Sequence, residues 1–278
     1  MTSEGIEPPR SARKTVAMHA SASAGPLVRA WRERRRLSQF ALANEAEISQ
    51  RHLSFIESGR ATPSREMVLR IAEHLEVPLR DRNVLLMQAG YAPIYRDRPL
   101  DDPALAKARA AIDRLLSAHE PYPALAVDRG WSVVAANAAT LRLLAQVDPE
   151  LMKPPVNAMR VSLHPRGLAP LIVNLGAWRA HLIERLRRQA TLAPDRRIEA
   201  LLAEVTAYPG PEAPRPDLAE EIAVPLILRT QRGPLSMLST LTVFGTALDI
   251  TLAELSIEAF FPADAVTAQA LRQAADSR

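Results

Sequence analysis

The 278-residue chain contains no cysteine. That excludes a disulfide frame, a thiolate nucleophile and any zinc site built on cysteine. Long apolar runs are missing too, since none approaches the ~18 residues that a membrane span needs. The opening residues, MTSEGIEPPRSARK, lack the apolar stretch of a secretory signal. No internal repeat, long low-complexity tract or coiled-coil pattern is visible. Compact catalytic motifs are absent as well: no G-x-S-x-G, no phosphate-cradling glycine loop, no H-E-x-x-H. His164 and His181 lie too far apart to suggest a metal site, and Glu220-Glu221 reads as solvated charge. The expectation is a cytoplasmic protein with no catalytic residue, metal, cofactor or membrane partner.

Turning to what is there, the length favours two domains, and a 47% hydrophobic content is enough to bury a core in each. The net charge is only +4, yet the sequence pI is about 9.8. The gap reflects many arginines and few lysines. Arginine is the better fork for phosphates and guanine edges.

Residues 1–24 are small, polar and proline-containing, which reads as a flexible arm, and Met18 stands as an alternative start. Residues 25–93 are helical throughout. Pro26 suits a first helical turn. Ser38 and Ser49 sit where N-caps belong, ahead of runs ending at Ala46 and Glu57. Ser58-Gly59 stops the third run, Thr62-Pro63-Ser64 opens a fourth ended by Pro78, and a fifth covers residues 80–89. Residues 94–104 form a charged, proline-containing linker. The rest, 105–275, mixes helices with short strands. One amphipathic helix spans 105–119, and runs 124–128 and 132–136 flank Arg129-Gly130 as a hairpin. Asn137 caps a helix to Leu144. Helices over 178–189 and 195–206 follow, then strands over 222–230, 235–244 and 255–261, and a last helix from Ala263.

The stretch from Leu37 to Val77 is the informative one. Two short helices meet at a tight turn around Glu47-Ile48, and Leu42, Ala43, Ala46, Ile48, Leu53 and Ile56 form the buried set. Turning 100° per residue, Leu53 and Ile56 point one way while Arg51, Ser54, Phe55 and Ser58 point the other. Gln50 lies in the first turn and His52 on the flank. Such a face suits a major groove: Arg51 pairs with guanine, Gln50 with adenine, and Phe55 touches a thymine methyl. Ser38 and Gln39, at the start of the preceding helix, face phosphate. Ser49, Ser54, His52, Arg60 and Arg65 complete the candidate DNA-binding set.

Leu37-Ser38-Gln39, Leu42-Ala43, Ile48-Ser49, Leu53-Ser54, Ile56-Glu57-Ser58-Gly59-Arg60 and Pro63-Ser64 together resemble the Cro/phage-repressor helix-turn-helix, the XRE family. The resemblance implies a double-stranded operator as partner and a homodimer on two half-sites. It also implies an internal ion pair between Arg32 and Glu57. The glycine usual in the turn is Glu47 here.

Further on, EPYPALAVDRGWSVVAANAATLRLL resembles the opening of a PAS-like fold. Together with Leu163-His164-Pro165, Gly167-Leu168-Ala169-Pro170, Trp178, His181-Leu182 and Phe244-Gly245-Thr246, residues 105–270 resemble the MmyB-like ligand-binding domain behind XRE modules. The resemblance implies a cavity for a small-molecule effector, of apolar or fatty-acid type. Asn174, Trp178, His181, Leu182, Arg185, Leu228, Ser239, Leu241 and Phe244 are the candidate pocket, with Arg185 facing a carboxylate. The same apolar residues also suit a filled core. The expected architecture is an all-α helix-turn-helix domain of five helices plus an α+β PAS-like domain with a small antiparallel sheet. Two alternatives stay open: a C-terminal domain serving dimerisation or protein recruitment, or an unrecognised enzyme domain on a DNA-binding head.

Overall fold

The structure is a computed structural model that describes residues 23–212 and 223–276. Most of the expected arm, Met18, and the first residue of the run expected over 222–230 lie outside the described residues.

Five helices build the N-terminal region: α1 (Ala24–Arg34), α2 (Gln39–Glu45), α3 (Gln50–Glu57), α4 (Arg65–His74) and α5 (Leu79–Gln88). Three serines start them as capping chemistry requires. The Ser38 hydroxyl accepts from Ala41 N, Ser49 from His52 N and Ser64 from Met67 N, each satisfying one orphan N–H of a first turn. Val28, Trp31, Leu42, Leu53, Ile56, Ile71 and Leu86 fill the core between the helices. Between α2 and α3 the chain must take a left-handed residue, and Glu47 supplies it with φ +54°. The turn therefore keeps its geometry without glycine, at a cost of about 1 kcal/mol.

The segment expected as a linker is tied down on both sides. Asn83 on α5 accepts from Ile94 N and Tyr95 N and donates to Tyr95 O. Arg96 then bridges to Asp249 in the C-terminal region.

Beyond it come α6 (Ala106–Ala118), β1 (Ala124–Val127), β2 (Val133–Ala136), α7 (Ala138–Leu144), α8 (Ala158–Leu163), α9 (Leu175–Leu192), α10 (Arg196–Ala207), β3 (Leu226–Thr230), β4 (Gly233–Val243), α11 (Ile250–Ala253), β5 (Ser256–Pro262) and α12 (Ala265–Asp276). The strands form one antiparallel sheet in the order β2-β1-β5-β4-β3. Strand parity assigns the two faces. One face packs on α8 and α9 through residues such as Met159, Leu163, Trp178, Leu182, Leu228 and Met237. The other carries α6, with Ile112 and Leu116 against Ala126 and Ile257.

Two short helices, α8 and α11, were not foreseen, because runs of six and four residues carry too little periodicity. The strand expected from residue 222 is paired only from Leu226 on.

A candidate DNA-reading face and an interior cavity

Helix α3 is anchored from behind. Leu53 and Ile56 are fully buried, and the carboxylate of Glu57 is locked by three donors. Arg32 reaches it twice, at 2.6 and 3.0 Å, and Gln39 Nε2 donates at 2.7 Å. The Arg32 guanidinium also donates to Leu37 O at 2.8 Å. That Glu57 hydrogen bond raises the pKa of Arg32 against the opposing effect of burial. The pair fixes the end of α3 against α1, so Glu57 is spent on structure.

The opposite side of α3 is open. Gln50 and Arg51 are exposed, while His52, Ser54 and Phe55 are half-buried. The Arg51 guanidinium lies 5.4 Å from the centroid of the Phe55 ring, and that of Arg60 lies 6.0 Å away. Two cations are thus held against one aromatic ring on the free face. Among the described residues, Arg51, Arg60 and Arg65 pair with no carboxylate, so their charge is available to an outside anion. Ser38 and Ser49 act as caps. Gln39 has its amide N–H turned to Glu57, which leaves its carbonyl oxygen for other partners.

A second space lies inside the C-terminal region, between the sheet and α7, α8 and α9. It is a narrow cavity of about 80 Å³. Of the nine expected pocket residues, Trp178, Leu182 and Leu228 line it. The other six lie elsewhere for reasons of spacing. Trp178 and Leu182 share one face of α9, whereas His181 and Arg185 share the next. Asn174, just before α9, clamps β3 by donating to Pro225 O and accepting from Ile227 N. Ser239 and Leu241 lie opposite Phe260 and Glu258 on β4 but are not on the lining, and Leu241 borders a separate crevice instead. Phe244 packs with the α6 side of the sheet.

Sequence reasoning missed Met159, Met237, Phe260, Trp131 and Glu258, all on the lining. The alternation Glu258, Phe260 in β5 was a usable signal, had β5 been placed beside β1. Among the described residues Glu258 is the single ionisable side chain on the lining, and Arg185 binds it at 3.0 Å from outside the cavity. The other polar lining atoms are engaged as well. Ser162 accepts from Trp178 Nε1, and Thr140 donates to Ala124 O. His181 stacks on Trp178, and burial, followed by Arg185 and Arg188, lowers its pKa.

The two regions meet through charge. Arg80 on α5 chelates Glu254 at 2.9 Å and Asp97 at 2.5 Å. Its pKa is raised chiefly by the Glu254 hydrogen bond. Arg98 binds Asp249 at 2.8 Å, and the Thr251 hydroxyl donates to Arg98 O. Among the described residues no group of His, Asp or Glu is arranged to hold a metal ion, and no helix is long and apolar enough to cross a membrane.

Taken together, the capped helix pair with an open basic face and the hollow α+β region define a helix-turn-helix regulator with a ligand-binding domain. Family comparison agrees. Residues 24–85 match the helix-turn-helix domain family, and residues 108–274 match the MmyB-like transcription regulator ligand binding domain. The second match spans more than half of the chain, which therefore belongs to the MmyB-like transcription regulators. No curated protein gives a significant match. Among solved structures, the clp gene regulator ClgR from Corynebacterium glutamicum is 23% identical, covering 36% of this chain and 94% of its own, with a TM-score of 0.22. An RNA-binding light-oxygen-voltage receptor is 15% identical, covering 88% of this chain and 60% of its own, with a TM-score of 0.27. Scores this low leave both likenesses without bearing on the fold.

Proposed function

We propose that this regulator reads a specific operator with the open face of α3 and senses a small apolar or fatty-acid-like molecule in its interior cavity. The observation that carries the first half is the unpaired Arg51 and Arg60 held on the Phe55 ring, beside exposed Gln50. In this reading Gln50, Arg51, Ser54 and Phe55 meet base edges. Ser38, Gln39, Ser49, His52, Arg60 and Arg65 meet phosphates and set the register. One such helix covers about half a site, so the working form is a cytoplasmic homodimer on half-sites ~10 bp apart.

The cavity supports the second half, as a space between sheet and helices is what the PAS-like resemblance implies. Its walls are almost wholly apolar, which suits an alkyl chain or ring. With one carboxylate already held by Arg185, the lining offers no acid–base pair, and the proposal is binding rather than catalysis. A ligand carboxylate would have to draw Arg185 away from Glu258. Recruitment of a protein without a metabolite would call for a filled core.

Selection from a randomised duplex pool gives the operator. Arg51→Ala is then expected to weaken specific binding by ~1–3 kcal/mol and to relax one base preference. Unchanged affinity and selectivity remove Arg51 from the reading face. Native mass spectrometry of the purified protein tests ligand and dimer together, by the mass of any co-purified molecule and the subunit number.

A further inference from the structure

The turn between β1 and β2 joins the cavity to the DNA-binding helices, and its geometry is unusual. Trp131 takes the left-handed conformation, φ +65°, directly after Gly130, which does not. A bulky aromatic rarely adopts that region unless its surroundings hold it there. Here they do. Trp131 is 6% exposed, and it lines both the interior cavity and a crevice of about 410 Å³ that opens between the two regions beside Pro78 and Leu241. Its N–H donates to Gln189 Oε1 at 2.9 Å, and the same Gln189 donates through Nε2 to Arg129 O at 2.7 Å. On its other side Arg185 covers the ring at 4.4 Å while binding Glu258 on the cavity wall.

Arg129, two residues before Trp131, points into the junction. Its guanidinium meets Glu254 at 3.3 Å, Asp81 of α5 at 3.6 Å and Asp195 at 3.6 Å, and it donates to Ala193 O at 3.3 Å. Every one of these contacts is long. The junction's other pairs, Arg80 with Asp97 and Arg98 with Asp249, are short. Asp81 Oδ2 is buried with no hydrogen bond of its own, and burial raises the Asp81 pKa against the pull of Arg129. Arg129 is thus a loosely closed latch between the cavity wall and the first turn of α5.

We propose that Trp131 reports the occupancy of the cavity to the DNA-binding helices, by moving Arg129 in or out of its contacts with Asp81 and Glu254. This rests on the ligand-sensing reading above. An occupant that presses on the indole strains its tie to Gln189. Gln189 in turn holds the Arg129 backbone, so the guanidinium shifts against α5. Tightening or loosening the latch changes how firmly α5, and the helices packed on it, are held.

Hydrogen exchange on the full chain tests the latch without any ligand. Gln189→Leu removes both of its ties. It is expected to speed exchange on the order of tenfold at residues 130–133 and also in the first turn of α5. Arg160→Gln, which breaks the Arg160–Glu204 pair without touching α5, leaves that turn unchanged. Faster exchange at 130–133 with α5 unmoved overturns the proposal, as does an equal effect in Arg160→Gln. The second arm adds decanol or decanoate, with binding read by tryptophan fluorescence and affinity measured for the selected operator. Wild type responds to the bound probe by on the order of tenfold, while Arg129→Gln binds the probe equally and no longer responds. An undiminished response in Arg129→Gln also overturns the proposal. If neither probe binds wild type, the apolar-ligand reading fails, and the exchange arm still decides the latch.

Discussion

The two halves of this regulator put their chemistry on opposite sides of their surfaces. In the N-terminal helices the core is solid and the face proposed to read DNA is outside: Leu42, Leu53 and Ile71 are fully buried, while Arg51 and Arg60 stand in solvent. In the C-terminal region the space proposed for a ligand is inside, and the lining residues lack neighbours on one side. In the proposed function the first arrangement needs a rigid body, because base readout would depend on the exact rotation of α3. The second needs a body that yields, because a molecule must enter it. Their stabilities should therefore respond differently to the same kinds of substitution.

The sharpest break of that contrast is Arg32→Ala. It leaves the Glu57 carboxylate buried with its main partner gone, and loss of one member of a buried pair costs about 3–5 kcal/mol. Urea unfolding followed by circular dichroism is the measurement. A loss below about 1 kcal/mol would mean that α3 is not held by this pair, and the head would be softer than argued.

Next in size is a matched pair of small-to-large changes. Ala43, 2% exposed, sits in the solid core between helices, so Ala43→Val is expected to cost about 1–3 kcal/mol. Ala158 lines the cavity, and Ala158→Val is expected to stabilise by about 0.5–1 kcal/mol while weakening probe binding. Equal destabilisation at both sites, by the same urea midpoints, would erase the distinction between a filled and a hollow core.

That distinction also explains what could be read from the linear chain. Ser38, Ser49 and Ser64 announce helix starts locally, and the 100° spacing puts Leu53 and Ile56 opposite Arg51 with no tertiary information. The Arg32–Glu57 pair followed from the motif. The cavity did not follow, because its lining is set by which strand lies beside which. Glu258 and Phe260 join Leu125 and Trp178 only once β5 is inserted between β1 and β4. Arg185 points at the right neighbourhood but from outside the wall, a difference of one helical face.

A smaller effect comes from His181 in the C-terminal region. Its pKa is lowered in the folded state, first by burial and then by Arg185 and Arg188. The unfolded chain therefore takes up the proton more readily. Stability from this residue is complete above the ordinary histidine pKa near 6.5 and falls as the pH drops through that value toward the folded one. His181→Gln should flatten the pH dependence of thermal unfolding on the acid side of about pH 6.5. An unaltered slope would assign the acid sensitivity to another group.

The smallest expected effect is at Glu47, and it is sharpest when set beside the other left-handed residue, Trp131. Glu47 and Trp131 have nearly the same φ, +54° and +65°, but one is an exposed turn residue in the rigid head and the other is a cavity wall. Glycine relieves the strain at either place. At position 47 little opposes that gain, since the Arg70 contact is 3.9 Å long and the Glu47 side chain is 83% exposed. Glu47→Gly is expected to raise the unfolding free energy by about 0.5–1 kcal/mol, with operator affinity unchanged. Trp131→Gly relieves similar strain but removes a buried indole and its bond to Gln189, so it should lose about 3–5 kcal/mol. If Trp131→Gly were as mild as Glu47→Gly, the indole would not be bearing on the wall, and strain at the two turns would have one and the same meaning.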